Sequence, residues 1–125
     1  ILPYQPRELM PQLLAFSDLQ FIFMSREMEG HGFPSKVYTI MACAKPLIVC
    51  SGVGSPIYSF LKQFNCAKLI ITPELQEKTN SIVSFLRSTT QEELRQMGSD
   101  GLDVIERLYS KDIVTEKYVT LISTL

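Results

Sequence analysis

The sequence predicts an α/β fold in three layers, with a small parallel sheet between two layers of helices. Three runs are predicted as strands: residues 21–24, 46–50 and 67–72. Each run is almost continuously apolar, which is typical of parallel strands buried on both faces. Helical patterns lie before, between and after these runs, and this alternation predicts right-handed crossover connections. The predicted order is helix, strand, helix, strand, helix, strand and then three helices.

The helices around the strands are predicted from apolar residues at helical spacing. The first covers residues 7–17, with one apolar stripe formed by Leu9, Met10, Leu13 and Leu14. The second, residues 35–44, carries apolar side chains at i, i+3, i+4 and i+7, and the third, residues 55–64, repeats that spacing. The third opens with Ser55-Pro56, a hydroxyl N-cap followed by proline at the first helical position.

Three more helices are predicted after the last strand. The first of them opens at Thr72-Pro73 and is expected to bury Leu75, Ile82, Val83 and Leu86. The next follows a capping box at residues 90–93, and we expect a kink or a break near Gly98 and Gly101. The last covers about residues 111–125 and has an apolar stripe through Tyr118 and Ile122.

Length and charge exclude several classes of partner. The chain has 125 residues and a net charge of -1, with 12 basic and 13 acidic residues. Because both signs are scattered, the chain lacks the basic surface that binds nucleic acid or an anionic membrane. No apolar run reaches the ~18 residues that span a bilayer, and the first residues do not resemble a signal peptide. We therefore expect no nucleic-acid partner and a cytoplasmic location.

The cysteines and the histidine give no indication of a metal site. Cys43, Cys50 and Cys66 lie in apolar segments, and we expect all three to be buried, reduced thiols. A zinc site needs more ligands at ligand spacing, whereas the chain has no CxxC pair and a single histidine, His31. No metal and no cofactor are expected.

The loop after the first strand, residues 25–35, is the first candidate site, because α/β sheets bind ligands beyond the carboxyl ends of their strands. Gly30 and Gly32 permit close approach of a ligand to the backbone. The next helix begins at Ser35-Lys36, where free N–H groups and the helix dipole favour a phosphate. A cation is unfavourable at that position, and an anionic ligand would explain Lys36. The alternative is an ordinary N-cap serine followed by a solvated lysine.

Other polar and aromatic residues are candidate site residues, and each of them also has an interpretation without a ligand. The loop of residues 51–55 either faces the same ligand or is a flexible glycine-containing turn. His31 is either a surface residue or a general base or ligand-binding residue. Glu27 and Glu29 are either solvated charges or bind a sugar hydroxyl. Tyr4, in a loop flanked by prolines, either packs that loop or stacks on a base or ring.

Several blocks of the sequence resemble the sequence pattern of a known protein family. Residues 34–38 (Pro-Ser-Lys-Val-Tyr) and 40–49 (Ile-Met-Ala-Cys-Ala-Lys-Pro-Leu-Ile-Val) are similar to the block P-S-K-x-Y-x-x-M-A-x-G-x-P-[VL]-I of GT-B glycosyltransferases. Residues 2–6, 9–14 and 17–19 resemble the segment of the same domain that precedes this block, and residues 97–118 resemble its C-terminal segment. The chain thus resembles the C-terminal, nucleotide-sugar-binding domain of family-4 retaining enzymes that build bacterial surface polysaccharides.

The resemblance implies a Rossmann-like sheet, namely the truncated C-terminal half of a GT-B fold. It implies transfer of a hexosyl group from a UDP- or GDP-sugar to a saccharide or lipid-linked acceptor, usually without a metal. The implied donor-binding residues are Gly32, Phe33, Ser35, Lys36, Thr39 and Tyr4, with sugar contacts from Glu29 and His31. The implied location is cytoplasmic or peripheral at the inner face of the membrane, and the apolar stripe of the last helix is expected to be exposed or to form a homodimer.

The resemblance also implies missing parts. An acceptor-binding N-terminal domain, and the Arg and Lys residues that neutralise the leaving diphosphate, would precede Ile1. Residues 1–125 are therefore expected to be one partial domain without activity of its own.

Three positions depart from the family pattern. His31 and Thr39 stand where the family has two glutamates, and Ala44 replaces a glycine. The first two departures favour an alternative function, that of a non-catalytic partner or regulatory subunit with the same fold. A sugar-nucleotide epimerase, which shares the two-domain architecture, is a third hypothesis.

Overall fold

A computed structural model describes residues 3–28 and 30–125, apart from the side chain of Arg26. Three parallel strands, β1 (Gln20–Phe23), β2 (Leu47–Cys50) and β3 (Ala67–Ile70), form one sheet in the order β1-β2-β3. In this register Gln20 lies opposite Leu47, which in turn lies opposite Ala67. The predicted small parallel sheet is confirmed, with strand ends moved by one or two residues.

The helices follow the predicted order. They are α1 (Met10–Phe16), α2 (Lys36–Ala42), α3 (Pro56–Leu61), α4 (Leu75–Ser88), α5 (Gln91–Val104) and α6 (Lys111–Ser123). Short 3₁₀ turns cover Arg7–Leu9 and Arg26–Met28, and a π-helical turn, Ile105–Tyr109, joins α5 to α6. The capping box predicted for α5 is present, with the Thr90 and Glu93 side chains each bonded to the other's backbone N–H.

The predicted start of α4 at Thr72-Pro73 is wrong. The helix begins at Leu75, and Glu74 is its N-cap residue. The Thr72 hydroxyl does not cap the helix but donates to the Glu77 carboxylate at 2.6 Å. The chain therefore has no regular secondary structure for the four residues between β3 and α4.

Apolar side chains cover both faces of the central strand, β2, which is buried at every position. Leu47 and Val49 of β2 belong to a core that also contains residues from α1, α2, α3 and α5. Ile48 and Cys50 lie on the opposite face, where β3 and α4 pack. Helices therefore pack on both faces of the sheet, with α4 on one face and α1, α2, α3 and α5 on the other.

The predicted buried stripe of α4 is only partly correct. Ile82 packs on the sheet together with Phe85, which the prediction had omitted. Leu75, Val83 and Leu86 are exposed. The reason is that α4 contacts β3 at the edge of the sheet, so that only a narrow part of its surface meets the core.

Burial of the cysteines is confirmed for two of them. Cys50 and Cys66 are buried free thiols, and burial raises the pKa of Cys66 to about 11. The prediction is wrong for Cys43, the C-cap residue of α2, which is exposed. The apolar stripe of α6 through Tyr118 and Ile122 is exposed in the chain.

The expected break near Gly98 and Gly101 is wrong, since α5 runs through both glycines. A Cβ built on Gly98 would lie 2.1 Å from the carbonyl oxygen of Ala44, and one on Gly101 would lie 3.1 Å from the Cβ of Cys66. The two glycines therefore mark the place where α5 packs closely on the end of α2 and on the start of β3. The helical irregularity occurs farther along, in the π-helical turn.

Ala44 ends α2 in a left-handed conformation, with φ 52°. The N–H groups of Ala44 and Lys45 donate to the carbonyl oxygens of Met41 and Ile40 at 2.9 and 3.2 Å, the hydrogen-bond pattern of a Schellman motif. Glycine adopts this conformation without the steric cost that an alanine bears. Glycine, which the resembled family has at this position, is therefore also the residue that this backbone conformation favours.

We expect Ala44→Gly to raise the free energy of unfolding by about 1 kcal/mol, because the left-handed backbone no longer strains a Cβ. Urea denaturation followed by circular dichroism measures this change. Ala42→Gly, at an exposed position of the same helix, is the matched control and is expected to lower stability by roughly 0.5–1 kcal/mol. A loss of stability in Ala44→Gly equal to that of the control would contradict the prediction.

Candidate functional site

The loops after the three strands enclose two hollows at the carboxyl edge of the sheet. The first, termed the β1 hollow, has a volume of about 240 Å³ and is lined by Met24, Glu27, Met28 and residues 31–34. The second, termed the strand-end hollow, has a volume of about 380 Å³ and is lined by residues 24–25, 51–54 and 71–73 and by Lys78. The two hollows share Met24. This edge is where α/β sheets commonly bind ligands.

The first turn of α2 carries two exposed polar side chains, Ser35 and Lys36. Ser35 is the N-cap residue of α2 and Lys36 is exposed, as the alternative of an N-cap serine and a solvated lysine expected, but the Ser35 side chain forms no capping hydrogen bond. The N–H groups of Val37 and Tyr38 already donate to the carbonyl oxygens of Pro34 and Ser35, at 3.0 and 3.1 Å. An anion at this turn would therefore meet the side chains of Ser35 and Lys36 more than these helix N–H groups.

Phe33 joins the β1 hollow to an aromatic cluster. Its ring packs against Tyr38 and Phe60, with centroid distances of 5.4 and 5.3 Å. Tyr109, in the π-helical turn, lies 5.4 Å from the Tyr38 ring. Burial, and to a lesser extent the neighbouring Tyr109, raises the pKa of Tyr38. This packing holds the backbone of residues 32–34 at the wall of the hollow.

Two of the remaining predicted site residues line the β1 hollow. His31 and Glu27 line the β1 hollow, whereas Thr39 is exposed on α2 and is not one of its lining residues. Tyr4 is 94% exposed, so the alternative that it packs its own loop is wrong, and its stacking role stays a prediction. Glu29 lies outside the described residues.

Two buried serines hold the loop after β2. The Ser55 side chain caps α3 by accepting from the Tyr58 N–H at 3.2 Å. Its hydroxyl also lies 2.8 Å from the carbonyl oxygen of Gly52 and 3.1 Å from the Ser51 hydroxyl. Ser51 lines the strand-end hollow, so this hydrogen-bonded turn gives the hollow one of its walls.

Two polar residues of the strand-end hollow, Thr72 and Lys78, were not predicted as site residues, whereas Ser25 begins the first candidate loop. Thr72 follows β3, and this position just after a strand is the signal that could have identified it. Lys78 was not predictable in this way, because it reaches the hollow from the second turn of α4.

Neither a metal site nor a membrane span is present in the part of the chain that the structure describes. No three His, Cys, Asp or Glu side chains there are grouped so that they could hold a metal ion. Within the same residues, no helix combines the length and the apolar character needed to cross a bilayer.

Comparison of the chain with protein-family models, with curated proteins and with solved structures finds no match. The class that the geometry defines is an α/β domain with a three-stranded parallel sheet and two hollows at its carboxyl edge.

Proposed function

We propose that the chain is the donor-binding part of a glycosyltransferase of the GT-B type, and that it binds a UDP- or GDP-sugar. One observation carries this proposal. The block of residues 34–49, which resembles the donor-site motif of that family, follows a loop that lines the β1 hollow at the carboxyl end of a parallel strand. The resemblance and the position of the hollow indicate the same region of the molecule.

The side chains of this region suit a diphosphate. The Lys36 ammonium and the Ser35 hydroxyl are exposed at the start of α2, and the Ser35 side chain makes no capping bond. Gly32 leaves its Cβ side open, with nothing within 4 Å, so that a ligand has room beside the backbone. Charge-assisted hydrogen bonds from lysine are a common means of holding phosphates. In a transfer reaction the same cation would stabilise the charge that develops on the leaving diphosphate.

A second function is favoured by Thr39. The family places a glutamate there, where it holds the donor ribose, and Thr39 is an exposed hydroxyl without a carboxylate. A non-catalytic partner that retains donor binding would need the phosphate contacts but not this acid. Transfer assays with several UDP- and GDP-sugars, together with a saccharide acceptor, separate the two functions, because turnover would eliminate the non-catalytic one. Loss of the donor sugar without an acceptor would instead indicate an epimerase.

Calorimetric titration with UDP and GDP tests the donor site. We expect one of the two to bind, and Lys36→Ala to weaken it roughly tenfold or more, since a hydrogen bond to a charged group contributes ~1.5–3 kcal/mol. Lys111→Ala is the matched control, because Lys111 is also an exposed lysine at the first position of a helix, α6. Equal affinities of Lys36→Ala and the unmodified chain would remove Lys36 from the site, and absence of binding by both nucleotides would contradict donor binding.

A further inference from the structure

The strand-end hollow is not explained by the proposed donor site. It lies where β1, β2 and β3 all end, and each strand is followed by residues that line it. Its volume of about 380 Å³ falls within the range of small-molecule sites in proteins. The hollow is therefore large enough for a ligand and is formed by all three strand ends.

Among the residues that the structure describes, the polar lining of this hollow comprises one cation and three hydroxyls. The cation is Lys78, and the hydroxyls belong to Ser25, Ser51 and Thr72. None of the described lining residues is acidic. A hollow lined in this way favours an anionic group with hydrogen-bonding oxygens, since the ammonium supplies charge and three donors.

Lys78 has no acidic partner in the described part of the chain. The two ion pairs found there join Arg95 to Glu92 and Arg107 to Asp103. Lys78 is half-buried, and its ammonium acts electrostatically on the thiol of Cys50, at the end of β2. The charge therefore lies near the end of the central strand.

Two of the three hydroxyls are engaged within the chain. The single Ser55 hydroxyl proton goes to the Gly52 carbonyl oxygen at 2.8 Å, so the 3.1 Å contact between the Ser51 and Ser55 hydroxyls uses the Ser51 proton. The Thr72 hydroxyl is engaged, because it donates to the Glu77 carboxylate at 2.6 Å. Glu77 adds a negative charge near the rim, so a ligand is held best if its anionic group lies at Lys78, away from Thr72.

We propose that the strand-end hollow binds the phosphate group of a small, hydroxyl-rich molecule of sugar-phosphate size, with Lys78 as the phosphate ligand. Met24, Val53 and Ile71 supply apolar walls for the rest of the molecule. This inference goes beyond donor binding at Lys36, and it holds whether or not the β1 hollow takes a nucleotide.

Titration of the ¹⁵N-labelled chain, followed by NMR, tests the proposal with three probes: inorganic phosphate, glucose 1-phosphate and glucose. We expect both phosphates to move the amide signals of residues 51–54 and of Thr72, and glucose to leave them in place. The expected dissociation constant is on the order of 1 mM or lower, with glucose 1-phosphate the tighter ligand. Unmoved signals with both phosphates, or equal shifts with glucose, would overturn the proposal.

Three variants identify the ligand residue. Lys78→Gln is expected to weaken the binding of glucose 1-phosphate roughly tenfold, whereas Lys78→Arg is expected to retain binding because it keeps the charge. Lys62→Gln, an exposed lysine at the end of α3, is the matched control and should bind like the unmodified chain. The dispersed amide signals of each variant report its folding in the same spectra. Unchanged affinity in Lys78→Gln, or loss of affinity in Lys62→Gln, would refute the assignment.

The same spectra keep this proposal separate from the donor site. Lys36→Ala is expected to leave the glucose 1-phosphate shifts at residues 51–54 unchanged, because Lys36 does not line the strand-end hollow. If Lys36→Ala abolished them, phosphate would bind at α2 instead and the strand-end site would be wrong. Failure of UDP and GDP to bind would affect only the proposed function.

Discussion

Gly98→Ala is expected to lower the free energy of unfolding by about 3 kcal/mol, in the upper range of overpacking substitutions. The new Cβ would lie 2.1 Å from the carbonyl oxygen and 2.7 Å from the carbonyl carbon of Ala44. These are backbone atoms of the Schellman turn, so they cannot rotate away as a flexible side chain would. α5 would have to move off α2, and apolar contacts between the two helices would be lost. Urea denaturation measures the change.

Helix propensity alone predicts the opposite sign for this substitution. Alanine in a helix interior is favoured over glycine by about 1 kcal/mol, so Gly98→Ala would stabilise α5 if the helix were free. Gly54→Ala is the control, since a Cβ at Gly54 would meet nothing within 4 Å and the backbone there is not left-handed. We expect Gly54→Ala to be neutral or slightly stabilising. A stabilised Gly98→Ala variant would show that α5 does not pack on Ala44 as described.

Leu61→Ala is the second substitution with a large expected effect, a loss of about 3 kcal/mol in the free energy of unfolding. Leu61 has 0% exposure and belongs to the core between the sheet and helices α2, α3 and α5. Removal of its side chain leaves a cavity that the surrounding strands and helices can fill only in part. Thermal or urea denaturation gives the difference in stability.

Leu75→Ala is the matched control for this substitution. Both leucines lie in helices whose apolar spacing predicted burial, but Leu75 is 77% exposed. The same chemical change is therefore expected to alter stability by no more than about 0.5 kcal/mol at Leu75. Similar losses at the two positions would mean that Leu75 packs against apolar surface that the described chain does not provide.

Local patterns in the sequence predicted the elements of the fold well. The nearly continuous apolar runs identified β1, β2 and β3, since such runs are typical of parallel strands. Burial on both faces is confirmed only for β2, because β1 exposes Phe21 and Phe23 and β3 exposes Lys68. The capping signals at Ser55 and Thr90 correctly located the starts of α3 and α5. Each of these features depends on residues that are close in the chain, so a local sequence pattern is enough to predict it.

The candidate site was predicted only in part. Gly32, Phe33 and His31 line the β1 hollow, as expected for the loop after the first strand. The strand-end hollow was not foreseen as a separate feature, since it combines residues from three loops and from α4. Its cation, Lys78, lies far along the chain from the β1 loop. No local pattern links such positions, and only the pairing of the strands brings them together.

The sequence by itself determined the α/β class, the order of elements and the loops at which a ligand is expected. Tertiary structure decided which apolar residues are buried, that Gly98 permits helix contact instead of breaking α5, and that two hollows adjoin at Met24. The physical reason is that strand and helix formation depend on near neighbours in the chain, through hydrogen bonding and periodic burial. Close packing and the enclosure of a ligand site depend on surfaces that meet only after the elements have assembled.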